Sequence, residues 1–164
     1  MSARKKNATK ASAAEQHFDL LSSPGFLIRR CHARSREIFD ELIGKNTGLS
    51  REQMAVLISI KQHPGANQAQ LTEATLFDRN TLGEIIRRLV DKQLVERKQA
   101  THDKRAYEVS LTRAGTALMA VVYPLLAEVQ EQILDHIPEK DRKTFLTCLK
   151  KISDSSLRSI KISE

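Results

Sequence analysis

Between Asp78 and Arg88 the chain sets out Arg79, Asn80, Thr81, Glu84, Arg87 and Arg88 at helical spacing, so guanidinium, amide, hydroxyl and carboxylate groups share one helix. An arginine fork matches guanine O6 and N7, an asparagine amide matches adenine N6 and N7, and further arginines hold phosphates. Each good base contact discriminates by about 1 to 3 kcal/mol, so Arg79, Asn80 and Thr81 near the helix start can read bases while Arg87 and Arg88 grip the backbone. Alone, such residues also fit a plain solvated face. The next stretch of chain tips the balance: Arg97, Lys98, Lys104 and Arg105 gather near or at the tip of a polar segment. A cationic hairpin suits the minor groove, where negative potential is focused. The excess of 27 Lys and Arg over 20 Asp and Glu likewise favours a polyanionic partner.

The elements that position these groups can be read from periodicity. From Pro24 to Gly44, Leu27, Ile28, Cys31, Ile38, Phe39, Leu42 and Ile43 recur three or four apart, which predicts a helix of about five turns with Gly44 as its stop. Ser50-Arg51-Glu52-Gln53 has capping-box form and opens a second helix that buries Met54, Leu57, Ile58 and Ile60 and ends at His63-Pro64-Gly65. A short helix fits Asn67 to Ala74. After a brief junction Asp78 caps another, to about Lys92, with Leu82, Ile85, Ile86 and Leu89 inward. Two helices so closely joined suggest a helix-turn-helix. Alternation in Leu94 to Gln99 and Ala106 to Leu111 predicts a hairpin around a tip at 100–105. Thr112 caps a long segment with the stripe Leu118, Val122, Leu125, Val129 and Ile133, where Pro124 should kink the helix or shift its hydrogen bonding. Pro138 suits the first turn of a last helix carrying Phe145, Leu146, Leu149 and Ile152. The expected fold is mainly α, a winged helix-turn-helix with a two-stranded hairpin wing and a helical dimerisation region.

At 164 residues the chain has room for one domain with a single core, and residues 1–16, basic and nearly without apolar side chains, read as a disordered tail. That tail is either an arm for DNA phosphates or a solvated terminus. Cys31 and Cys148 lie far apart and His17, His32, His63, His102 and His136 are scattered, so neither a disulfide framework nor a metal site is expected, and no cofactor. No apolar run approaches the ~18 residues of a membrane span, and the first residues, with Arg4, Lys5, Lys6 and Lys10, lack the apolar stretch of a secretory signal, so a soluble cytoplasmic protein with no membrane partner is expected. His102, Asp103, Ser22 and Ser23 form no nucleophile-base-orienter set, and no enzyme is expected.

The run Asp103-Lys104-Arg105-Ala106-Tyr107-Glu108-Val109-Ser110-Leu111-Thr112-Arg113-Ala114-Gly115, with Leu89 and Leu94-Val95-Glu96-Arg97 before it, resembles the D-x-R and L-T-x-x-G signature of the MarR family of regulators. The resemblance extends from about Pro24 to Ser159. It implies a winged helix-turn-helix over about 49–111, and dimerisation helices over about 24–44 and 112–160, within one domain spanning 17–164. It further implies a homodimer with intertwined first, fifth and sixth helices that docks on a palindromic operator. The apolar end helices agree, since one such chain struggles to cover them. The resemblance places Arg105 in the minor groove and makes Asp103 a buttress of the wing. Gln93 departs from the pattern, standing where the family usually has Gly, so the turn there is expected to differ or to cost about 1 kcal/mol.

The segments Gly25 to His32 and Phe77 to Glu84 also resemble a narrower group that controls aromatic-acid catabolism and includes regulators released by hydroxycinnamoyl-CoA thioesters. Arg29, Arg30, Arg34 and Arg36 could meet a carboxylate or the phosphates of CoA, or else solvate their helix or meet DNA phosphates. Phe26, Phe39 and Met54 either line the apolar part of a pocket or are core. Cys31 is either a thiol sensor beside those arginines or a small buried residue on the stripe, and Cys148 reads as core. The expected function is a repressor released by a small aromatic acid or its CoA thioester, p-coumaroyl-CoA being the type. A redox-sensing regulator on this scaffold and an architectural DNA-binding protein are the alternatives.

Overall fold

The computed structural model describes residues 18–99 and 107–154. The chain divides into two compact units, 1–51 and 52–164. In the first, helix α1 (Pro24–Phe39) has Pro24 at its first turn, where a missing N–H costs nothing. The helical path continues through a π-helical turn, Asp40–Gly44, and a short α-helical turn, Lys45–Thr47. Gly44 is therefore not the stop. It keeps right-handed helical angles, and the chain leaves the helix at Gly48, where φ is +62° and the N–H bonds to the Gly44 carbonyl. Ile38, Phe39, Ile43 and Leu49 are buried, whereas Leu27 and Ile28 are exposed. Cys31 is exposed too, so of its two readings the buried stripe residue does not hold in the single chain. The reason is that the buried residues cluster at the C-terminal end of this helical path, leaving its first turns uncovered in a single chain.

In the second unit, helix α2 (Arg51–Gln62) buries Met54, Val56, Leu57 and Ile60, with Ile58 half-buried. Asn67 caps α3 (Gln68–Thr75) reciprocally: its side chain accepts from the Gln70 N–H at 3.0 Å, and the Gln70 side chain accepts from the Asn67 N–H at 2.9 Å. Leu76 ends α3 in left-handed geometry, and α4 (Arg79–Asp91) comes next with Leu82, Ile85, Ile86 and Leu89 buried. Burying each of these is worth about 1.5 to 3 kcal/mol, which fixes the opposite face outward.

Strands β1 (Val95–Gln99) and β2 (Tyr107–Leu111) pair antiparallel, Val95 with Leu111 and Arg97 with Val109. The Val109 N–H also bonds to the Ala66 carbonyl, and Asn67 pairs with Glu108, so the segment before α3 lies alongside β2. Val95 and Val109 are the buried points of the alternation.

Helix α5 (Arg113–Leu134) runs through Pro124 without interruption and buries Met119, Val122 and Val129. Leu118, Leu125 and Ile133 are only half-buried. Pro138 stands just before α6 (Glu139–Ser153) with extended ψ, one place earlier than expected. Arg142 ties this corner, donating to the Ile137 carbonyl and pairing with Glu131 at 2.8 Å. No α6 residue is buried, and Leu146, Leu149, Ile152 and Cys148 are exposed, so Cys148 is not core in the single chain. Helix α5 is also long and apolar enough to cross a membrane by length and composition, although its unbroken apolar stretch ends at Glu128.

Candidate nucleic-acid interface

The interface begins at Asp78. Its carboxylate accepts from the Asn80 and Thr81 N–H groups, each at 3.0 Å, and receives the Thr81 hydroxyl on its other oxygen. The Thr81 hydroxyl and N–H, with the Asn80 N–H, hold this carboxyl below the ordinary aspartate range. The cap therefore fixes the first turn of α4, and it occupies the proton of Thr81, one of the expected contacts. From α3, the Gln68 amide donates to the Arg79 carbonyl at 3.1 Å and links the two helices near that turn.

The six expected groups Arg79, Asn80, Thr81, Glu84, Arg87 and Arg88 are all exposed, in keeping with the helical period. Asn80, Glu84, Arg87 and Asp91 fall at i, i+4, i+7 and i+11, a stripe directly opposite the buried leucines and isoleucines. Arg79 and Arg88 project on either side of it. Arg87, expected to grip phosphate, instead bridges its own helix: Nη2 reaches Glu84 at 2.8 Å and Nη1 reaches Asp91 at 3.3 Å. Its hydrogen bond and charge hold the Glu84 carboxyl below the usual range. Neither Arg79 nor Arg88 forms an ion pair with a described residue.

The wing base is firmly tied. Lys98 pairs with Glu96 at 2.7 Å, and Glu96 also accepts from the Ser110 hydroxyl across the strands. Lys98 is thus partly neutralised, while Arg97 is exposed. Lys104, Arg105 and Asp103 lie outside the described residues, as do the tail and the hairpin tip.

The joint below the wing is legible in sequence as a motif but not as a contact. Gln93 takes φ +57°, with its N–H on the Val90 carbonyl and the Leu94 N–H on the Leu89 carbonyl. This paired pattern usually carries glycine, so the turn keeps its geometry despite the side chain. Thr112 then binds it from above: its hydroxyl donates to the Gln93 carbonyl at 2.7 Å and accepts from the Gly115 N–H at 3.0 Å, and its own N–H reaches the Leu94 carbonyl. A Cβ on Gly115 would stand 2.1 Å from the Leu94 carbonyl oxygen. The L-T-x-x-G run is therefore the place where the end of α4, the wing and α5 meet. A glycine in the first turn of a helix is the sequence signal for such a close approach.

The expected ligand residues fall in both units, Met54 alone in the second. The Arg29 guanidinium lies 5.4 Å from the Phe26 ring centre, and Arg34 pairs with Glu37 at 3.3 Å. Arg30 and Arg36 are exposed on the same helix, and Phe39 is buried in that unit. Met54 is buried in the second unit. An open hollow of about 600 Å³ lies elsewhere, lined by His63, Pro64, Gly65, Ala66, Gln70, Glu73 and Ala74. Among the described residues no group of three His, Cys, Asp or Glu could hold a metal.

This arrangement, a capped and exposed helix behind a short turn with a two-stranded wing after it, is that of winged-helix DNA-binding regulators. The MarR family model matches residues 49–107. The transcriptional regulator HosA of Escherichia coli is 30% identical over 107 residues, covering 65% of this chain and 79% of HosA. The chain belongs to the MarR family. The HTH-type transcriptional repressor NicR of Pseudomonas putida is 28% identical over 152 residues, covering 92% of this chain and 96% of NicR. The structure of Bordetella bronchiseptica BpsR, whose DNA binding is regulated by 6-hydroxynicotinic acid, superposes with a TM-score of 0.79 at 24% identity, covering 85% of this chain and 99% of BpsR. The protein is thus a DNA-binding transcription regulator and not an enzyme.

Proposed function

We propose that the protein is a homodimeric repressor that places α4 of each protomer in successive major grooves of a palindromic operator, with the wing on the flanking minor groove, and that a small aromatic acid releases it. The observation that carries the DNA-binding part is the geometry of α4. Asp78 locks its first turn, its core face is fully buried, and Arg79 and Arg88 flank the outward stripe. Cations on both sides of a stripe suit the two phosphate walls of a groove. Dimerisation is supported by apolar side chains left exposed on α1, α5 and α6, among them Leu27, Ile28, Val121, Leu146, Leu149 and Ile152. Isologous pairing of such faces is the commonest way to cover them.

For the effector, the aromatic-acid class gains support from BpsR, and the CoA thioester is the finer form of the same reading. Arg29, Arg30, Arg34 and Arg36 supply cations for the carboxylate of a free acid or for the phosphates of CoA. The ligand need favour the released spacing by only about 1 to 3 kcal/mol to weaken DNA binding some 5- to 150-fold. Titration of a preformed protein–promoter complex with hydroxynicotinic, benzoic and cinnamic acids, and with p-coumaroyl-CoA, tests this. Release by the free acids supports the acid, release by the thioester alone supports the CoA form, and indifference to all removes the effector from the account.

Exposed Cys31 keeps a second reading open, a thiol switch on the same scaffold. Peroxide should then release DNA from the wild type and not from Cys31→Ser. Equal release from both proteins eliminates it.

A further inference from the structure

Glu84 stands at the centre of the outward stripe of α4, one turn beyond Asn80, where an unneutralised carboxylate would be repelled by the phosphates of any groove the helix enters. It is not left unpaired. Arg87 Nη2 and Nε approach its two oxygens at 2.8 and 3.4 Å, a forked pairing that offsets part of its charge and orients it. Arg87 is anchored from the other side by Asp91 at 3.3 Å, so the three side chains form one braced row. A carboxylate accepts on several lone pairs, and Arg87 leaves part of that capacity free and facing outward.

We propose that Glu84 is a specificity-determining residue that accepts a hydrogen bond from a cytosine N4 amino group in the major groove, with Arg87 as its positioning residue. Cytosine offers a donor there with no acceptor of its own beside it. Adenine sets N7, an acceptor, next to its amino group, and guanine and thymine present acceptors, all of which repel a carboxylate. The contact lies one helical turn along from Asn80, so it reads a different base pair. This inference rests on the reading of α4 as the helix that enters the groove.

The test is a selection with the full-length protein from duplexes randomised across one half-site, sequenced before and after binding, with Glu84→Ala, Glu84→Gln, Arg87→Met and Arg87→Lys beside the wild type. The wild type should prefer cytosine at one position by about tenfold or more. Glu84→Ala should lose that preference alone. Glu84→Gln, which adds a donor beside its acceptor, should shift it toward adenine. Arg87→Met should weaken it at an unchanged thermal midpoint, and Arg87→Lys should restore part of it. If both Glu84 variants keep every base preference and merely bind all sequences more tightly, Glu84 is a repelling charge and the proposal is overturned. If the wild type enriches no sequence, the placement of α4 itself fails and takes the proposal with it.

Discussion

At the scale of single residues, two backbone positions account for much of the geometry. Gly115 is buried with the Leu94 carbonyl where its side chain would be, so Gly115→Ala must push α5 away from the turn after α4. Overpacking against backbone should cost about 1 to 3 kcal/mol, read as a lower urea midpoint at unchanged slope. Gln93 has the opposite character. It holds left-handed geometry with no side-chain bond to another described residue, and Gln93→Gly should raise stability by about 0.5 to 1 kcal/mol. Chemical denaturation of the two proteins side by side measures that gain. Asp78 adds a pH dependence. Its folded pKa lies below the ordinary value, so the cap contributes fully above an unfolded pKa near ~3.9 and fades as pH falls through the folded value. The stability gap between wild type and Asp78→Ala should therefore be full at neutrality and narrow below about pH 4, as denaturation at several pH values will show.

At the scale of elements, α4 separates its cations by role. Arg79, read from the sequence as a base contact, lies with Arg88 on the flanks of the stripe, so both should act on phosphates, and Ala at either should weaken binding to all sequences alike and lower the salt slope by about one. Anisotropy at several salt concentrations measures both. Much of this is legible in the sequence, because a strong period of 3.6 and an Asp cap fix which face of α4 is outward whatever surrounds it. The ion pairs of Arg87 are less so: Glu84 and Asp91 sit at pairing distance in sequence, but charge on a helix face reads equally well as available to phosphate. The stop of the first helical segment is ambiguous in sequence because both Gly44 and Gly48 could end it. The later one takes the left-handed turn, and the chain beyond it buries Leu49. Thr112 and Gly115 are visible as a motif, but their partners, Gln93 and Leu94, lie across the whole wing and no local pattern names them.

At the scale of the molecule, the stripe on α1 and the apolar face of α6 are legible, yet the single chain leaves Leu27, Ile28, Leu146, Leu149 and Ile152 exposed, a departure no local pattern foretells. Cys31 and Cys148 are exposed on the same two helices. If a second copy provides the cover, Leu146→Asp with Leu149→Asp should give a monomer by sedimentation, and operator affinity should drop by about two orders of magnitude or more as the two half-sites are uncoupled. An unchanged sedimentation coefficient would move the interface elsewhere.

If α4 reads DNA sequence, fluorescence anisotropy of the purified protein on its own promoter fragment and on a scrambled duplex of equal length, at one fixed salt concentration, will show it. Binding to the promoter should be tighter by about a thousandfold or more, with two protomers per site and the preference altered by Asn80→Ala. Equal affinity for both duplexes, with the same steep salt dependence, would contradict it and leave a protein that holds DNA by charge alone.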